Sequence, residues 1–230
     1  MKNKLILSTD KLKREKKTKR VIKIVLLIIL LILLLLYFAF RIIYNSGNFS
    51  VTLDDNLYFK RGLIIYDDPL YKVYRTELLA KAPETFDNIS YKWLPEDLDK
   101  YEGSHNGDNY LVYSFYIENM GDDITDYWGE IIIDDVIKNV DEAVRIRVYK
   151  NGEYLTYAKL GKRGEVEKET VPFLNNQTIA RYHGENFNPG DIDKFTIVFW
   201  LEGTDLECTD NILGGEFKFH MEFNSEIMEK

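Results

Sequence analysis

The sequence is poor in the residues from which cross-links and metal sites are built: one cysteine, Cys208, and three histidines, His105, His183 and His220, in 230 residues. A lone cysteine has no intramolecular partner, so the fold must be held by packing and hydrogen bonds. The histidines are scattered, and none stands in the helical two-histidine spacing that a zinc protease needs with its glutamate. No glycine-rich turn follows a strand and opens a helix, so the usual cradle for nucleotide phosphates is missing. A nucleophile elbow is missing too. Cys208 has Glu207 and Asp210 for neighbours, which oppose thiolate formation, and it reads as an inert, partly buried small residue.

Charge is absent from residues 24 to 40, a run of seventeen dominated by Leu and Ile. At 1.5 Å per residue the run covers roughly 25 Å, and Lys23 and Arg41 can extend their stems to the headgroups on either side. Tyr37 and Tyr44 suit the outer interface. Residues 1 to 23 carry ten Lys/Arg against Asp10 and Glu15, a net of +8, whereas only Arg41 follows the run closely. This asymmetry predicts a cytoplasmic basic tail over residues 1 to 23, a transmembrane helix over 24 to 44 and an extracellular domain over 45 to 230. A basic tail of this kind also lies on anionic lipid, so the bilayer is the first expected partner. Signal peptidase needs small residues before its cut, and residues 37 to 44 are bulky almost throughout, so the segment is expected to stay as an anchor.

The other 19 basic and 36 acidic residues fall in positions 45 to 230, a net of −17. Nucleic acid is not an expected partner for this part, because phosphate binding needs a basic stripe. The excess acid reads as solvating turns and opposing self-association. With 186 positions the domain is long enough to bury a core without staples.

Residues 49 to 59 read as a strand with an acidic interruption at Asp54 and Asp55, and 63 to 66 as a second short run. Asp68 and Pro69 open a predicted helix over 68 to 81, with Leu70, Val73, Tyr74 and Leu78 on one face. Residues 83 to 109 read as an irregular connection in which Trp93 and Leu94 pack. Strands are expected at 110 to 118, 127 to 136, 143 to 150, 153 to 159, 178 to 183, 194 to 201 and 216 to 223. Asn151-Gly152 is a type I′ hairpin signal. Residues 161 to 170 read as a charged loop. The pattern is that of a mainly β protein, an antiparallel β-sandwich of jelly-roll or immunoglobulin-like kind after one N-terminal transmembrane helix. An open sheet with the 68 to 81 helix on one face is the alternative.

Two loops stand out, residues 103 to 110 and residues 200 to 215, both dense in Asn, Asp and Gly. Such residues cap turns. Glu202, Asp205 and Asp210, with Asp191 and Asp193 from the turn at Pro189-Gly190, are also candidate oxygen ligands for calcium, although the EF-hand order is missing. The same loops carry a resemblance. Ser104-His105-Asn106-Gly107-Asp108-Asn109-Tyr110, leading into an aromatic strand, and Trp200-Leu201-Glu202-Gly203-x-Asp205-x-x-Cys208 before Gly214-Gly215 resemble a family of uncharacterised surface proteins, mainly of Gram-positive bacteria. The likeness covers most of residues 85 to 224 and implies a membrane-anchored extracellular sandwich. The turn Asn188-Pro189-Gly190-Asp191 is more distantly similar to the camelysin and biofilm-fibre type of secreted sandwich, which a signal peptidase processes.

These readings favour a non-enzymatic envelope or interaction module, with no cofactor, facing another surface protein, a wall polymer or a neighbouring copy. A hydrolytic or metal-dependent enzyme is the alternative, and requires His105, Glu202 and Asp205 to converge in a concave site.

Overall fold

A computed structural model describes residues 2 to 44, 49 to 83 and 85 to 225. The chain divides into two compact units, Met1–Ser46 and Gly47–Lys230. The first is a helix, α1 (Lys2–Tyr44), which takes in the basic segment as well as the apolar run. The stretch Lys13–Phe38 within it is long and apolar enough to cross a membrane. Apolar side chains occupy every side of it from Ile24 to Phe38, so this part of the helix has no polar face. The side chains of Arg41 and Tyr44, and the expected boundary at position 45, lie outside the described residues.

The second unit is built on twelve strands: β1 (Phe49–Leu53), β2 (Leu63–Tyr66), β3 (Glu77–Leu79), β4 (Gly103–Ser104), β5 (Tyr110–Asn119), β6 (Thr125–Ile137), β7 (Val144–Lys150), β8 (Glu153–Ala158), β9 (Val171–Pro172), β10 (Thr178–Phe187), β11 (Ile192–Leu201) and β12 (Glu216–Asn224). A five-stranded sheet has the order β10-β6-β12-β1-β3. A seven-stranded sheet has the order β2-β5-β11-β7-β8-β9, with β4 beside β5. Rings from the two inner faces meet: Phe223 lies 5.6 Å from Phe195 and 6.1 Å from Phe115, and Phe219 lies 5.7 Å from Phe199. Every second residue of β12 faces this core, as the alternation of Phe217, Phe219, Met221 and Phe223 with Lys218, His220 and Glu222 requires. The expected sandwich is therefore present, but its sheets are mixed. β1 runs parallel to β12 and β8 parallel to β9, whereas an antiparallel sandwich was the sequence expectation.

Local chemistry explains two further departures. The expected strand over 49 to 59 stops at Leu53, because the Asp54 carboxylate accepts the Asn56 N–H at 2.9 Å and caps a helix, α2 (Asp55–Arg61). Gly62, at φ 73°, ends it in the left-handed region. No helix forms over 68 to 81. Asp68 does accept the Leu70 N–H, at 2.8 Å, yet of the supposed apolar face only Leu78 is buried, with Leu70 86% exposed. A bridge from Arg75 to Ile65 and the pairing of β3 with β1 take the backbone instead.

The hairpin at Asn151-Gly152 has φ 53° and 88°, the two positive angles of a type I′ turn. Residues 89 to 98 lie over the outer face of the seven-stranded sheet, where Ile89, Leu94 and Leu98 pack on Val112, Tyr149, Val198 and Trp200. That second core makes residues 111 to 115 buried on both faces and explains their unbroken apolar run. Trp93 does not join it and is 76% exposed, contrary to the expected packing.

Candidate functional site

The near end of the sandwich is where the chain enters at Phe49. There Glu202 is buried and accepts four hydrogen bonds. Its Oε2 takes the Trp200 indole N–H at 3.0 Å and the Tyr91 backbone N–H at 2.9 Å, and its Oε1 takes the Thr204 N–H and hydroxyl at 3.2 and 2.6 Å. Asp205 is buried against Arg145, whose Nη2 lies 2.5 Å from Asp205 Oδ2 and 3.1 Å from Glu167 Oε2. Asp210 is exposed at the start of a 3-10 turn (Asp210–Ile212). Glu202, Asp205 and Asp210 are thus not brought together as one ligand set. Among the described residues the carboxylates of Glu167, Asp205 and Glu207 do lie within 4.8 Å of one another, but a guanidinium already neutralises two of them.

His105 is occupied by backbone as well, with Nδ1 3.0 Å from the Gly103 carbonyl and Nε2 2.8 Å from that of Leu98. Asn106 Oδ1 accepts the Val112 N–H at 2.8 Å, and Asn109 Oδ1 the Asp87 N–H at 3.1 Å. The side chains of His105, Glu202 and Asp205 make no hydrogen bond to one another; the one link among these residues is from the Asp205 backbone N–H to the Glu202 carbonyl, at 3.2 Å. Burial, and then the charges of Asp205, Glu202 and Asp87, push the Cys208 thiol up, away from the reactive thiolate. Both loops therefore use their polar side chains to tie connections of 80 to 110 and 200 to 215 to the sandwich.

Two concave surfaces lie at the far end, to which β1, β10 and β12 run. A cavity of about 320 Å³ is lined by Lys150, His183, Gly184, Glu185, Asp191 and Asp193, with Phe187 and Ile192. Asp193 organises its floor: it accepts from the Tyr127 hydroxyl and from Asn151 Nδ2, the latter at 2.6 Å, and pairs with Lys150 Nζ at 3.1 Å. Burial alone pushes its pKa up, but these three partners together outweigh burial and hold the carboxyl below its ordinary value. Asp191 instead closes the turn before β11, accepting the Asn188 N–H at 2.7 Å. Glu185 reaches His183 Nδ1 at 3.0 Å, and the His183 ring stacks on Trp128 with centroids 3.8 Å apart. A second cavity of about 410 Å³ lies at the same end, lined by Arg61, Ile124, Thr125, Asp126, Asn186 and Ser225.

Of this far-end cluster, the sequence pointed to Asp191 and Asp193 only. Tyr127, Lys150 and His183 come from three strands and meet through register, which no local pattern displays. A signal was present in Gly184, a glycine inside a strand, which marks a close approach. A Cβ at that position would fall within the Tyr127 ring, which lies across the glycine on its way to Asp193. Gly184→Ala is accordingly expected to destabilise the sandwich by about 1–3 kcal/mol, since the ring is fully buried and has nowhere to go. Equal urea midpoints for the two proteins would show that the ring moves freely.

No family model and no curated protein matches the chain. Among solved structures, two of a β-glucosidase from Kluyveromyces marxianus, one labelled with selenomethionine and one in complex with glucose, align with TM-scores of 0.25 and 0.27. Identity is 11% and 10%, over 52% and 72% of this chain and only 11% and 15% of the other. The likeness is too slight to assign a fold family.

Proposed function

We propose that this chain is a single-pass membrane protein with the basic segment, residues 1 to 23, in the cytoplasm and the sandwich outside, as a non-catalytic envelope or interaction module. The observation that carries the reading is the polarity of the second unit. Its chain enters at one end, five positions after the last residue of α1, and two cavities open at the other. The side chains that a hydrolase would need are engaged elsewhere, His105 by carbonyls, Asp205 by Arg145 and Glu202 by four donors. The +8 against −17 charge division supports the orientation, and the resemblance to anchored surface proteins agrees with it. The far end then faces a partner, either another surface protein, a wall polymer or a neighbouring copy.

Protease added to intact protoplasts is expected to cut from about position 45 onward and to leave the basic segment protected. A soluble form beginning near position 47, identified by terminal sequencing of culture supernatant, would overturn the anchor.

A further inference from the structure

The outer face of the five-stranded sheet carries polar groups that the sandwich leaves unsatisfied. Along this face Trp128 stands opposite His183 on one side and Asn224 on the other, and Glu130 stands opposite Arg181 and Glu222. Glu130 is satisfied, because its Oε1 accepts both Nε and Nη2 of Arg181 at 2.5 Å. Glu222 Oε2 lies 3.6 Å from His220 Nε2, but among the described residues Glu222 Oε1 and Asn224 Nδ2 are buried and find no hydrogen-bond partner. An unpaired buried atom costs stability, and two on neighbouring positions of one strand face call for a reason. Successive residues on one face are roughly 7 Å apart, so one ligand can reach both.

We propose that this face binds a neutral glycan across Trp128, Asn224 and Glu222, an inference that rests on the reading of the sandwich as an outward-facing module. The two unpaired atoms choose the chemistry. Glu222 Oε1 needs a donor and Asn224 Nδ2 needs an acceptor. A sugar hydroxyl is both within one group, whereas an ammonium or guanidinium is a donor only, so a basic side chain would leave the amide to find its acceptor elsewhere on the peptide. Charge excludes the other common wall chemistry, since a net of −17 repels a phosphate-linked polyanion. The His183 ring covers one face of the indole, and the other face is the flat apolar surface on which the C–H face of a pyranose would stack. Glu222 and Asn224 are only partly buried as residues, and their terminal torsions are soft, so a small rotation presents each unpaired atom.

The test uses the full-length protein in nanodiscs, titrated with three probes: neutral oligosaccharides (an N-acetylglucosamine tetramer and a glucose tetramer), polyglycerol phosphate, and a lysine-rich peptide. Saturable binding of a neutral oligosaccharide is expected, with a change in tryptophan fluorescence, and no binding of the other two. Glu222→Gln keeps the shape of the side chain and is expected to weaken binding by about tenfold or more, the loss of one hydrogen bond to a charged group. Trp128→Phe, checked for an unchanged melting curve, is expected to weaken it and to remove the fluorescence change. Failure of both neutral tetramers to bind, wild-type affinity in Glu222→Gln, or binding of the polyanion or the peptide instead, would each overturn the proposal. Protease protection in protoplasts is scored separately, so loss of the glycan leaves the anchor standing, and loss of the anchor leaves a glycan-binding protein of different placement.

Discussion

Arg145→Ala is expected to lower the stability of the sandwich by about 3–5 kcal/mol, measured by urea unfolding. Arg145 is 4% exposed at its side chain and is the cation facing the fully buried carboxylate of Asp205. Removing it leaves that carboxylate buried and unpaired, with Glu167 and Glu207 close by. Burial and the charge of Asp205 already raise the pKa of Glu167 with Arg145 in place, so the loss falls on a cluster short of positive charge. The double variant Arg145→Met, Asp205→Leu is expected to recover most of the loss, because two apolar side chains of similar volume replace a buried pair. A cost under about 1 kcal/mol for Arg145→Ala would mean that the pair is hydrated rather than buried.

The second large effect is expected from a nearly isosteric change. Glu202→Gln places an amide NH₂ where one carboxylate oxygen now receives two donors, so donors face donors in a buried site. A loss of about 2–3 kcal/mol is expected, the cost of unsatisfied buried donors. The loss should be the same with millimolar calcium or with chelator, since in this geometry Glu202 holds Trp200 and the Tyr91 segment rather than an ion. A calcium-dependent rise in melting temperature of the unaltered protein, absent from the Gln variant, would return Glu202 to the ligands of a metal.

The sequence was most legible where the structure is decided locally. The Asn151-Gly152 turn needs two positive φ angles, and both residues tolerate them; the alternation in 216 to 223 needs only one buried face. It was least legible where distant parts of the chain decide. In residues 68 to 81 the helical spacing was genuine, but Asp68 caps a turn that is abandoned once β3 finds β1. The reverse holds at 55 to 61, where Asp54 and Gly62 bracket a helix too short to disturb a strand-like composition. The two acid-rich loops resembled a site because the groups that satisfy buried backbone are the same ones that bind ions. The far-end cavity resembled nothing, since its residues meet only after three strands are in register.

The pairing of β1 with β12 bears on how this protein is made. The first strand of the sandwich is also the first to be synthesised, and it has β3 for a companion early but waits for the last strand to cover its other edge. β6 waits too, because β12 lies between it and β1. A nascent chain that stops before Glu216 therefore lacks the strand that joins the two halves of one sheet, and exposes Phe49, Val51 and the inner face of β6. Such long-range closure is slow and leaves edges open to aggregation meanwhile. Closure of the five-stranded sheet is thus deferred to the strand made last, and a chain lacking Glu216–Asn224 holds two unjoined strand pairs rather than a smaller version of the same sheet.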